Sequence, residues 1–138
     1  MTLQLTPQLE ARLQREETVW LTTVNANGTP FPTPIWFWWE NGEFLIFSQP
    51  QALKLKNIRR NPQVAINFNT DITGEIVVVF WGEARIDPDA PRSIDLPAYI
   101  EKYRKLIDLI GFTPERLAAE FSTAIRVRPT KVRSQGEQ

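Results

Sequence analysis

The sequence contains no cysteine and no histidine. Without cysteine there is no disulfide, no thiolate nucleophile and no thiolate metal site. Without histidine the commonest general base, the commonest metal ligand and the usual haem ligand are all missing. Charge of either sign is in no excess, because 16 Lys and Arg balance 16 Asp and Glu. A dedicated nucleic-acid binder is normally basic, so that class has no electrostatic support here. Long apolar runs are also missing. Proline, glycine or charge interrupts each one, well short of a membrane span. No stretch reads as a signal peptide, and a cytoplasmic protein is the simplest expectation.

No Gly-rich phosphate loop and no G-x-S-x-G elbow occurs. Acidic pairs such as Glu16/Glu17 and Asp87/Asp89 fall at element ends, where solvated turn residues are the ordinary reading. What is present suits one domain over residues 1–138, long enough for a hydrophobic core without staples.

The element signals are dense. Thr6-Pro7 ahead of Leu9 and Leu13 reads as a capped helix start. Residues 18–24 (TVWLTTV) read as a strand, and Asn25 to Gly28 as a hairpin turn. The return strand is expected over 30–39, with Asn41-Gly42 as a second turn and EFLIFS (43–48) as the next strand. A helix is expected over 50–60, with Ser48 or Gln49 placed to cap it and Asn61-Pro62 ending it. Strands follow at 64–68 and 75–86, the second with a bulge or kink at Gly82. Helices at about 91–110 and 113–120 precede a last strand at 123–132. Hairpin-linked strands in this number predict an antiparallel barrel with helical trim.

Two stretches stand out. In PFPTPIWFWW (30–39), prolines occupy every second position, Pro30, Pro32 and Pro34. In a strand those nitrogens point to one lateral side, so that edge lacks three donors and cannot be fully paired. Downstream, Ile35, Phe37 and Trp39 share one face, and Trp36 and Trp38 the other. Both faces are apolar, so both need cover. Trp36 and Trp38 either pack beneath the C-terminal helices or face a partner subunit beside a flat ligand.

In FSQPQALKLKNIRRNP (47–62), a strand runs straight into a helix whose N-terminus suits an anion. Ser48 offers a hydroxyl there, and Lys54 and Lys56 follow. Cations so early in a helix oppose its dipole, which fits a nearby anion. A solvated basic face is the competing reading. On the last strand, Arg126 and Arg128 share a face and either reach an anionic group or line a solvated edge.

Together GTPFPTPIWF, KLKNIRRNP and the late RVRPTKV resemble the pyridoxamine 5′-phosphate oxidase-like family, the FMN-binding split barrels. The resemblance runs from Glu16 to Ile86 and is nearest to a small subgroup of F420-dependent (deazaflavin) type. It implies a mainly β fold, a six-stranded antiparallel split β-barrel. It also implies a homodimer with the cofactor, FMN or F420, at the subunit interface. Carried over by position, Thr33, Pro34, Ile35 and Trp36 run beside the ring, largely through main chain. Ser48 matches a phosphate-holding Ser/Thr, Lys54 the phosphate-binding lysine, and Lys56 a second contact. The strict oxidase's flanking arginine and lysine are replaced by Thr33 and Trp38, and its C-terminal Arg-x-His element is missing. Oxidation of pyridoxine phosphate is therefore not expected.

The resulting expectation is an oxidoreductase passing a hydride between FMN or F420 and a small conjugated acceptor. Such cofactors carry their own redox chemistry, which suits a chain without His or Cys. The alternative is a non-catalytic protein on the same barrel, holding a flavin or another planar ligand for storage, sensing or a stress role. No metal, membrane or nucleic-acid partner is expected.

Overall fold

The computed structural model describes residues 3–136 of the chain. Helix α1 (Pro7–Arg15) starts as its sequence dictates: the Thr6 hydroxyl accepts the Leu9 N–H at 3.1 Å, and Pro7 takes the first turn. Its Leu9 and Leu13 are buried in the main core. Strands β1 (Thr18–Val24), β2 (Pro30–Trp36), β3 (Trp38–Glu40) and β4 (Glu43–Ser48) follow. The Asn41-Gly42 turn has positive φ at both residues, as a tight hairpin of this hand requires.

Helix α2 (Leu53–Arg60) and strands β5 (Gln63–Asn67) and β6 (Val77–Ile86) come next. A short 3₁₀ turn (Ser93–Asp95), helices α3 (Pro97–Leu109) and α4 (Pro114–Glu120) and strand β7 (Thr123–Gln135) complete the chain.

The strands form one curled antiparallel sheet in the order β2-β1-β5-β6-β7-β4-β3. This is the mainly β split barrel expected, with seven strands in place of six. The difference arises within 30–39, which forms two strands, β2 and β3, separated at Phe37. These successive pieces are the two outermost strands of the sheet. The chain therefore steps from one sheet edge to the other within a single residue. That step brings the sheet nearly full circle and leaves a split. β3 pairs β4 only as far as Leu45, so Ile46–Ser48 lies beyond it, opposite the free edge of β2.

The barrel interior holds Val19, Leu21, Ile35, Phe37, Trp39, Phe44, Ile66 and Phe80, among others. A second apolar cluster forms where α3 and α4 cover the outside: Tyr99, Ile100, Tyr103, Ile107 and Leu117, with Trp36, Trp38 and Phe47 against it. The alternation along 35–39 thus divides the aromatics between two cores. Gly82 does sit at a register shift between β6 and β7. A Cβ there would collide with the Arg128 carbonyl and come within 2.9 Å of Pro129 Cα, so only glycine fits.

Two boundaries differ from the sequence reading in an instructive way. Helix α2 begins at Leu53, not Pro50, because a turn closed by Ala52 N–H on the Gln49 carbonyl (3.2 Å) precedes it. Ala52 is the N-cap and supplies no side-chain cap. The Ser48 hydroxyl instead donates to the Gln49 carbonyl at 2.9 Å. The helix expected over 91–110 is divided into the 3₁₀ turn and α3, which Pro97 starts.

Candidate functional site at the split of the barrel

A cavity of about 220 Å³ lies at the split. Pro34, Ile35 and Trp36 of β2 form one wall, and Phe47 of β4 with Lys54 of α2 another. Tyr99 from the first turn of α3, Ile110 at its C-cap, Leu117 of α4 and Phe121 at the C-cap of α4 close it over. The lining is apolar and aromatic apart from one cation, Lys54.

Lys54 is half-buried, and desolvation pulls its pKa below the usual lysine value. No carboxylate pairs with it among the described residues. A desolvated ammonium without a counter-ion is costly, and an arriving anion lowers that cost. Tyr99, buried on the opposite wall, has its hydroxyl pKa pushed up by desolvation, so it remains a neutral phenol.

The ladder phase of β2 decides which main-chain groups reach the cavity. Asn25 N–H donates to the Thr29 carbonyl at 3.0 Å. The pairs Thr23–Phe31, Leu21–Thr33 and Val19–Ile35 continue that phase. Residues 29, 31, 33 and 35 therefore spend their main-chain groups on β1. Pro30, Pro32, Pro34 and Trp36 turn theirs outward, toward the split.

Trp36 belongs to both structures at once. Its ring stacks on Tyr103 with centroids 4.7 Å apart and planes 8° from parallel. It also lines the cavity. Trp38 is packed beneath the helices, with its indole N–H given to Glu40 at 3.0 Å. The packing reading thus describes Trp38, while Trp36 packs and lines.

Of the residues singled out in the sequence, Pro34, Ile35, Trp36 and Lys54 come together here. Thr33 is half-buried beside them, with its main chain committed to Leu21. Ser48 is fully buried and its proton goes to Gln49, so it does not line the cavity. Lys56 is exposed on α2 and also lies outside the lining.

Arg126 is ion-paired with Asp87 at 2.7 Å and reaches Glu40 at 3.7 Å. Hydrogen bonding from Arg126 holds the Asp87 carboxyl below its usual range. Arg128 is paired with Glu83. Both arginines are thus engaged by carboxylates on the sheet or just after β6.

The helical wall of Tyr99, Ile110, Leu117 and Phe121 was not singled out in the sequence. Its only signal is an amphipathic pattern, which marks core and cavity wall alike.

The sequence model of the family described as pyridoxamine 5′-phosphate oxidase matches residues 5–136. The chain belongs to this family. No curated protein matches it. Among solved structures, an F420 reductase is similar at 26% identity, covering 91% of this chain and 96% of that one, with a TM-score of 0.67. HutZ from Vibrio cholerae, described as a heme storage protein, shares the fold at 20% identity and TM-score 0.68, covering 98% and 97%. A conserved hypothetical protein of Mycobacterium tuberculosis, Rv2991, does so at 19% identity and TM-score 0.77, covering 99% and 88%. Among the described residues no helix is long and apolar enough to cross a membrane.

Proposed function

We propose that this chain is an FMN- or F420-dependent oxidoreductase that passes a hydride between its cofactor and a small conjugated acceptor. The observation that carries the reading is Lys54: a desolvated cation without a carboxylate partner, in an otherwise apolar, aromatic cavity. That donor set fits a planar ring bearing an anionic arm. Lys54 takes the phosphate, Trp36 and Phe47 flank the ring, and the β2 main chain at Pro34 and Trp36 meets its polar edge. Thr33 and Ile35 keep that strand in place through β1. Ser48 and Lys56 stand behind and beside the anion position, where Lys56 adds long-range attraction.

Bound flavin or deazaflavin supplies the hydride chemistry itself. The chain contributes orientation and exclusion of water. The cavity lining holds no carboxylate, histidine or thiol. Hydride transfer from a ring needs none of these at the reacting atom, and the similarity to an F420 reductase supports this reading.

The cavity is below the range of about 300–1,000 Å³ usual for ligand sites. One copy therefore holds part of a cofactor, and a second copy completes the enclosure. The outer sheet face offers a surface for it. Register aligns Pro32, Thr22, Ala65, Trp81 and Lys131 in one row across β2, β1, β5, β6 and β7. Trp81, between Ala65 and Lys131 in the row, is a large exposed apolar side chain.

A second reading, a planar-ligand binder without turnover, is favoured by a cavity wall that carries no carboxylate, histidine or thiol. The shared fold with a heme storage protein accords with it, although no histidine is available here as an iron ligand. The experiment is anaerobic mixing with reduced F420 or reduced FMN and a panel of enones, quinones and tetrapyrroles. Reoxidation of either cofactor, dependent on protein and acceptor, is expected. Tight binding with no reoxidation across the panel selects the second reading.

A further inference from the structure

We infer that the β2 edge makes this cavity prefer a ring edge that donates hydrogen bonds, and hence the dihydro form of its cofactor over the oxidised form. This rests on the reading of the cavity as a redox-cofactor site.

Residues 30, 32, 34 and 36 face the split, and three of them are proline. A proline nitrogen has no hydrogen to give. A strand edge ordinarily alternates donors and acceptors. This edge shows the carbonyls of Pro30, Pro32, Pro34 and Trp36, and a single N–H, that of Trp36. The next N–H along the chain, on Phe37, is already given to the Tyr103 hydroxyl at 2.9 Å.

Ile35, Phe47, Ile110, Leu117 and Phe121 have no hydrogen-bonding group. The side-chain donors on the lining are the Lys54 ammonium on α2, the Tyr99 hydroxyl on α3 and the Trp36 indole, and none of them is bonded to the Pro34 carbonyl. A ring nitrogen placed against the Pro34 carbonyl must therefore carry a hydrogen. If it carries a lone pair, two acceptors face each other with no water between them, which is unfavourable.

Oxidised flavins and deazaflavins present lone pairs at ring nitrogens. On reduction a flavin would take the hydride at N5, and a deazaflavin would take it at C5 with a proton at N1, so either ring would gain an N–H. The two electrons arrive with the hydride, and the proton comes from solvent. Reduction thus turns a mismatched acceptor into a matched donor. The same edge explains why prolines are placed at three alternate positions where most strands would not tolerate one.

The test is a fluorescence titration of the full chain under anaerobic conditions. FMN and F420 are each titrated in the oxidised and the dithionite-reduced state. At least about tenfold tighter binding of the reduced state is expected, the size of one hydrogen bond gained in place of a mismatch. Pro34→Ala introduces an N–H at the mismatched point. It is expected to tighten the oxidised form and narrow the ratio several-fold. Pro30→Ala, outside the cavity lining, leaves the ratio unchanged and serves as a control for general edge effects. The bound midpoint potential gives a second readout: above that of the free cofactor in the native chain, and lower in Pro34→Ala. Equal affinities for the two states, or a Pro34→Ala ratio equal to the native one, overturn the inference while leaving the cofactor reading in place. No binding of FMN or F420 in either state overturns both.

Discussion

The Tyr103 hydroxyl accepts the Phe37 N–H at 2.9 Å and lies 2.7 Å from the Glu17 carbonyl. Phe37 is the one residue between β2 and β3, so neither strand pairs its main chain. Its N–H is satisfied by Tyr103, and its carbonyl accepts from Lys102 Nζ at 3.3 Å. Helix α3 thus completes the hydrogen bonding that the chain loses in stepping between sheet edges. The same tyrosine ring stacks on Trp36 at the cavity wall.

Tyr103→Phe keeps the stack and removes the hydroxyl. It leaves a buried N–H and a carbonyl without their partner, which costs about 1–3 kcal/mol. A lowered midpoint in chemical denaturation, with the far-ultraviolet spectrum unchanged, is the expected result. Unaltered stability would mean that water takes over both groups.

Stability also depends on pH through α3. Burial pushes the Lys102 ammonium down to about 8, with Glu17 and Glu16 acting in the opposite direction. An unfolded lysine titrates near 10.5, so over that window the unfolded chain binds more protons and stability rises with pH. Tyr99 and Tyr103 are shifted upward by burial from an ordinary value of 10.0. They stay protonated in the fold after the unfolded chain has lost those protons, so stability falls at higher pH. Thermal melts are expected to rise from about pH 8 and reverse near pH 10. Lys102→Met is expected to shrink the rising limb, and an unchanged limb would assign it to other groups.

Trp81 stands out on the sheet face with Lys131 Nζ 5.0 Å from its ring. Trp81→Glu places a charge within the proposed subunit contact. Sedimentation analysis is expected to give a dimer for the native chain and a monomer for the variant, with cofactor affinity falling in parallel. A native monomer that binds cofactor fully would remove the second copy from the site.

Much of this architecture is legible from local pattern. The alternation of Ile35, Phe37 and Trp39 against Trp36 and Trp38 assigns the two sets to opposite faces before any contact is known, and the structure supplies what covers the second face. The alternating prolines mark an unpaired edge, which β2 has. Gly82 marks a close approach that the β6–β7 bulge provides.

The division at Phe37 is not legible, because the β pattern runs unbroken through Trp39. What interrupts pairing there is a hydroxyl from a helix 66 positions away. Likewise, Lys54 and Lys56 look alike in sequence. Only the start of α2 at Leu53 turns one toward the cavity and leaves the other in solvent. Arg126 and Arg128 share a face as the strand period requires. Their carboxylate partners come from β3, β6 and the segment after β6, which no local pattern shows.

Lys54 is proposed to hold the anionic arm of a planar redox cofactor at the split of the barrel. The most direct measurement is a tryptophan-quenching titration of the native chain, Lys54→Ala and Lys56→Ala with FMN and, separately, F420. The native chain is expected to bind one of the two tightly. Lys54→Ala is expected to lose on the order of 1.5–3 kcal/mol, or roughly ten- to 150-fold in affinity, with Lys56→Ala changed much less. Equal affinity in all three proteins, or no binding of either cofactor by the native chain, would contradict it.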